Sequence, residues 1–72
     1  GGVISATATK AQIQILIENE PPTRPLSDQE ISHLLRETGT CVARRTVAKY
    51  RESLGIGSSS ERRRAYRRSA NF

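Results

Sequence analysis

The sequence predicts an all-α fold, a three-helix domain followed by a flexible basic C-terminal tail. Three observations lead there. Apolar residues recur at helical spacing in three separate segments. One of these opens on the capping box Ser27-Asp28-Gln29-Glu30. Breakers stand between them, with Pro21, Pro22 and Pro25 in the first gap and Gly39 in the second.

The first helix is expected from Ser5 to Asn19, where Ile13, Leu16 and Ile17 make one apolar stripe that Ala6 and Lys10 extend. Ile15 falls opposite that stripe, either as a lone exposed aliphatic or as a contact with part of a longer chain. The three prolines then forbid helix and make a stiff connector. The second helix runs from about Asp28 to Thr38. Its Ser27 hydroxyl and Glu30 carboxylate satisfy each other's backbone amides, and Leu26 with Ile31 forms a hydrophobic staple. Ile31, Leu34, Leu35 and Thr38 share its inward face, and Gly39 supplies the left-handed residue that ends it. The third helix, about residues 43–54, carries Val47, Tyr50 and Leu54 on one side and stops at Leu54-Gly55-Ile56. Beyond it, Gly57-Ser58-Ser59-Ser60 is linker composition, and the arginine run after it has no apolar periodicity to bury, which favours a disordered segment over the alternative of a frayed helix. The expected division is therefore a domain over residues 3–56 and a Ser/Arg-rich flexible tail over 57–72.

Charge separates along the chain in the same way. The net charge is +5, yet residues 1–43 hold three basic against five acidic side chains. Residues 44–52 hold four against one, and residues 61–72 five against one. Two late basic blocks on a chain of pI about 10.4 point to a polyanionic partner. At 72 residues the chain is too short for a conventional enzyme fold with an enclosed pocket, and no catalytic constellation is visible. Cys41 has no cysteine to pair with, and His33 alone does not complete a zinc site, so neither metal nor other cofactor is expected. His33 falls on the outer face of the second helix as a solvated histidine, and Cys41 is expected to pack in the turn. No apolar run approaches the roughly 18 residues of a membrane helix, and no signal-peptide pattern is present, which favours a cytoplasmic setting and no membrane partner. The Gly1-Gly2 opening without an initiating Met is expected to be either a cloning remnant or a cut from a longer protein.

The second helix, a short turn containing Gly39 and the third helix together form a helix-turn-helix, a unit that places its second helix in the major groove of DNA. A helical wheel from Arg44 puts Val47, Tyr50 and Leu54 at about 240–300° and Arg45, Lys49 and Glu52 at about 80–140°. Core and probe faces are thus opposed. Ala48 sits at the edge of the probe face, where a small side chain allows close approach to the groove floor. RNA modules tend to need exposed aromatics for stacking, and this chain has only Tyr50, Tyr66 and Phe72, which favours DNA.

The segment Ala43-Arg44-Arg45-Thr46-Val47-Ala48-Lys49-Tyr50-Arg51-Glu52 resembles the RpoN box, the signature of the C-terminal domain of bacterial sigma-54 factors. Pro25-Leu26-Ser27-Asp28, Gly39 and Val42 are similar to that family as well, so the likeness spans about Ile4 to Ile56. The arginine tail and Cys41 depart from it. The resemblance implies a DNA-binding domain that holds the factor on the promoter element centred near −24, whose hallmark is a GG dinucleotide. It also implies a parent protein that binds core RNA polymerase and awaits an ATP-hydrolysing enhancer-binding activator in the bacterial cytoplasm, at the nucleoid.

Residue roles follow from chemistry. A guanidinium fork matches N7 and O6 of guanine, which makes Arg45 the first choice for reading the GG step and Lys49, one turn later, the second. Ala48 and Glu52 complete the base-facing set. Arg44, Thr46 and Arg51 are assigned to backbone phosphates, and Ser27 with the opening amides of the second helix to another. Arg62, Arg63, Arg64, Arg67 and Arg68 of the tail are assigned non-specific DNA contact. The domain is expected to be monomeric, because no third apolar face is available for self-association. Two other readings stay open: a stand-alone helix-turn-helix repressor or recombinase module acting as a dimer, and an adaptor that docks an acidic protein or ribosomal RNA through its arginine tail.

Overall fold

A computed structural model describes residues 6–70. Four α-helices make up its regular structure: α1 (Ala6–Glu18), α2 (Asp28–Glu37), α3 (Arg44–Ser53) and α4 (Ser59–Ala70). The first three match the expected elements closely. Ser5, expected to open the first helix, and residues 71–72 of the tail lie outside the described residues.

The core is small and continuous. Ile13 and Ile17 of α1 meet Ile31 and Leu35 of α2 and Val47 of α3, all buried, with Leu16, Leu26, Val42, Tyr50 and Ile56 packed around them. α3 packs on both other helices, so it is held along its apolar side by α1 and α2 together. Ile15 is 58% exposed, as its place on the wheel requires. Thr38, expected on the inward face of α2, is exposed and serves instead as the C-cap, its amide returning to Arg36 and Leu35.

Helix ends are set by local chemistry. Ser27 Oγ accepts from the Glu30 amide at 3.1 Å while Glu30 Oε1 accepts from the Ser27 amide at 3.3 Å, completing the capping box. α2 and α3 end alike. Gly39 (φ 91°) and Gly55 (φ 75°) take the left-handed conformation. The next residue's amide then reaches five positions back, Thr40 to Leu35 O at 2.9 Å and Ile56 to Arg51 O at 3.1 Å. Open space surrounds both glycines, so it is φ that demands glycine there. Between α2 and α3, the Ser32 hydroxyl donates to the Val42 carbonyl and ties the turn to the helix before it.

The segment after Gly57 corrects the expectation of a flexible tail: residues 59–70 are helical. Two things account for it. Ser58 and Glu61 form a second reciprocal cap, with Glu61 N to Ser58 Oγ at 3.2 Å and Ser58 N to Glu61 Oε1 at 3.1 Å. One turn into the helix, Arg62 is buried against the proline-rich connector. Arg62 is therefore removed from the set of outward arginines.

Candidate nucleic-acid interface

α3 is positioned by its apolar side. Val47 is wholly buried and Tyr50 is packed against the core, which turns Arg44, Arg45, Lys49 and Glu52 to solvent on the other sides of the helix. Ala48 is half-buried at the edge of that surface. Thr46 is half-buried too, beside a shallow hollow lined by Thr9, Thr40, Cys41, Val42 and Tyr50. Cys41 itself is exposed, which corrects the expectation that it packs in the turn. Lys10 of α1, which sequence patterning only placed at the edge of an apolar stripe, sets its ammonium 5.7 Å from the Tyr50 ring centroid.

Arg51 is not part of that surface. It is 6% exposed, and its guanidinium is fully engaged: Nε and Nη2 reach the two oxygens of Asp28 at 2.9 and 3.2 Å, and Nη1 donates to the Ile56 carbonyl at 2.9 Å. The assignment of Arg51 to a DNA phosphate is therefore corrected. Its position on the wheel places it beside the apolar stripe, and the carboxylate that opens α2 captures it there. The pair fastens the end of α3 to the start of α2, fixing the angle between the two helices of the helix-turn-helix.

A second buried arginine does the same for α4. The Glu20 carboxylate, its side chain fully buried, accepts from Arg62 Nε and Nη2 at 2.8 Å each, from the Tyr66 hydroxyl at 2.6 Å and from the Leu26 amide at 2.8 Å. Arg62 donates further to the carbonyls of Leu26 at 2.6 Å and Gly57 at 2.8 Å. Burial opposes ionisation of Glu20, but the hydrogen bonds from Arg62, Tyr66 and the Leu26 amide outweigh it and hold the carboxyl below its ordinary pKa. The pKa of the Tyr66 phenol is raised, chiefly by its bond to the Glu20 carboxylate and by burial, with Arg62 opposing. Because the folded carboxyl is more acidic than a free one, the cluster stabilises fully above the ordinary carboxylate range and loses that contribution as pH falls through the depressed folded value. Acid titration followed by amide exchange is expected to release α4 before α1–α3; simultaneous loss of all four helices would show that the cluster does not set α4's stability.

Among the described residues, a set of outward cations takes no part in an ion pair. Ion pairs join Arg24 to Glu30, His33 to Glu37, Arg51 to Asp28 and Arg62 to Glu20; among the described residues none involves Arg44, Arg45, Lys49, Arg63, Arg64, Arg67 or Arg68. His33 is exposed on α2, 3.4 Å from Glu37. Ser27 Oγ is taken up in the cap. Sequence reasoning missed Glu20 and Asp28, which stand well before the basic segments in the chain, and Tyr66, which lies within one of them. No group of three or more His, Cys, Asp or Glu side chains among the described residues could hold a metal ion, and no helix of the structure is long and apolar enough to cross a membrane.

Comparison with known proteins gives the surface its context. Residues 1–64 match the family described as the sigma-54 DNA-binding domain. The chain is 61% identical over 64 residues to an RNA polymerase sigma-54 factor of Azotobacter vinelandii, covering 89% of this chain and 13% of the relative. It is 59% identical over 63 residues to that of Acinetobacter guillouiae, covering 88% and 13%. Against the Escherichia coli K12 factor it is 54% identical over 63 residues, with the same 88% and 13% coverage. The chain thus spans about an eighth of the length of these relatives. Matched along most of its length by a DNA-binding family, and presenting unpaired cations on a helix whose other side is locked into the core, the chain belongs to the sigma-54 DNA-binding domain family.

Proposed function

We propose that the domain binds the −24 promoter element by laying α3 in the major groove, with Arg45 reading the GG step and Lys49, Ala48 and Glu52 facing neighbouring bases. The observation that carries this reading is the pairing of Arg45 and Lys49. They stand one turn apart, exposed and free of intramolecular ion pairs, on a helix whose Val47 is wholly buried. A guanidinium already committed to a carboxylate could not read guanine; that of Arg45 is not. Arg44 and Thr46 border the same surface and contact phosphates, as do the amides that open α2 behind Ser27. Arg63, Arg64, Arg67 and Arg68 of α4 add contacts that do not depend on sequence. The domain acts as a monomer within a longer sigma factor in the bacterial cytoplasm. That factor meets core RNA polymerase, and an ATP-hydrolysing activator, through regions outside this chain.

Arg45→Ala is expected to weaken binding to a GG-containing duplex by about 1–3 kcal/mol, with a much smaller loss on a duplex in which the GG is replaced. Titration of the variant on both duplexes checks it. Equal losses would reduce Arg45 to a phosphate contact and remove the basis for placing α3 in the groove.

A further inference from the structure

α4 poses a physical problem. It is 12 residues long, it buries no apolar side chain in the core, and four of its residues are exposed arginines. Isolated helices of this length are marginal in water. Arg63 with Arg67 and Arg64 with Arg68 are like charges at i, i+4, which destabilise a helix further. Besides the Ser58–Glu61 cap at its start, what holds the helix to the rest of the domain is the contact of Arg62 and Tyr66 with the buried Glu20.

That contact also orients the helix. On a wheel started at Arg62, Tyr66 lies about 40° away, while Arg63, Arg67, Arg64 and Arg68 fill the arc from about 100° to 240°. The held side and the arginine side are therefore opposite each other, and fixing the first turns the second outward as one stripe. The helix also starts at the helix-turn-helix itself. Arg62 touches the Leu26 carbonyl, one residue before the cap of α2, and Ile56, which accepts from Arg51 of α3, lies two residues before the cap of α4. The molecule is 49 Å along its longest axis, more than the roughly 34 Å of one DNA turn. A double-stranded DNA segment longer than one turn is long enough to run the length of such a molecule, and its phosphates complement the exposed arginines of α4.

The geometry points to a latched arm: Glu20, through Arg62 and Tyr66, fixes α4 so that Arg63, Arg64, Arg67 and Arg68 grip the phosphates of double-stranded DNA flanking the segment read by α3. Glu20 is a positioning residue that touches no DNA. Phosphates relieve the repulsion between the arginine rows, so the strained helix and the ligand suit one another. Tyr66, Arg67 and Arg68 lie beyond residues 1–64, the part matched by the family. The inference rests on the proposed reading of α3 for the place of the DNA, and its test separates the two.

Two GG-containing duplexes serve as probes, one ending at the α3 segment and one longer by a helical turn on each side. The unmodified domain is expected to bind the longer duplex more tightly and with a steeper dependence of log affinity on log salt. The variant R63Q/R64Q/R67Q/R68Q is expected to lose that difference, its slope becoming shallower by about 0.9 for each phosphate contact removed. Glu20→Gln keeps all four arginines, yet is expected to lose the same length-dependent part; Tyr66→Phe, which removes one hydroxyl, should lose a fraction of it. If Glu20→Gln does not fold, Tyr66→Phe carries the test. Equal slopes on the two duplexes for the unmodified domain would overturn the arm, and are the result expected if the arginines serve an acidic protein instead. Full retention of the long-duplex advantage by Glu20→Gln and Tyr66→Phe would overturn the latch and leave a string of charges. Arg45→Ala is read alongside: if it keeps its preference for GG, the reading of α3 fails whatever the arm does.

Discussion

Replacing Arg51 by alanine should destabilise the domain by about 3–5 kcal/mol, toward the lower figure because Asp28 is 23% exposed and can recover some hydration. The loss arises from what is left behind: a carboxylate without its cation at the opening of α2 and a carbonyl at Ile56 without its donor. Denaturant unfolding measures it. Arg51→Met should lose less, since the aliphatic stem still packs, and pairing it with Asp28→Asn should recover part of the remainder. A phosphate-contacting arginine would behave oppositely, leaving stability unchanged and making the salt dependence of DNA binding shallower by about 0.9. A stable Arg51→Ala domain with a shallower slope would therefore refute the structural role described for this residue.

Leu35→Ala should cost about 2–5 kcal/mol. Leu35 is 1% exposed and packs in the one core that α1, α2 and α3 share, and alanine is a good helix former, so the loss is one of packing and cavity. For a domain of this size each kcal/mol moves Tm by about 4–8 °C, so the melt should shift by about 10 °C or more. Leu34, half-buried on the same helix, provides the control: truncation there should cost clearly less. Equal costs at the two positions would mean that α2 faces the core differently.

These two residues also show what the sequence could and could not reveal. Leu35 was legible because its burial follows from spacing within α2, just as Ser27, Glu30, Gly39 and Gly55 declare helix ends through neighbours a few positions away. The opposed sides of α3 were legible for the same reason. Arg51 was not, because its partner stands 23 positions earlier, and in isolation an arginine beside basic neighbours reads as one more surface charge. The interval is 42 positions for Arg62 and Glu20, and α4 was missed with it. Its cap was present in the sequence as Ser58 and Glu61, but no apolar run follows, so the pattern that marks a buried helix was missing. The surface offered by Arg44, Arg45 and Lys49 could be inferred from local periodicity; the two internal guanidinium clamps that set its angle and add a second stripe required the folded chain.

The division of arginines into enclosed and outward-facing sets has a consequence for control. Mobile ions screen the outward set within about 10 Å at ordinary ionic strength but hardly reach charges shielded by protein. Modest brine should therefore strip the domain from its ligand while its architecture stays intact, so that hold and integrity respond to different dials.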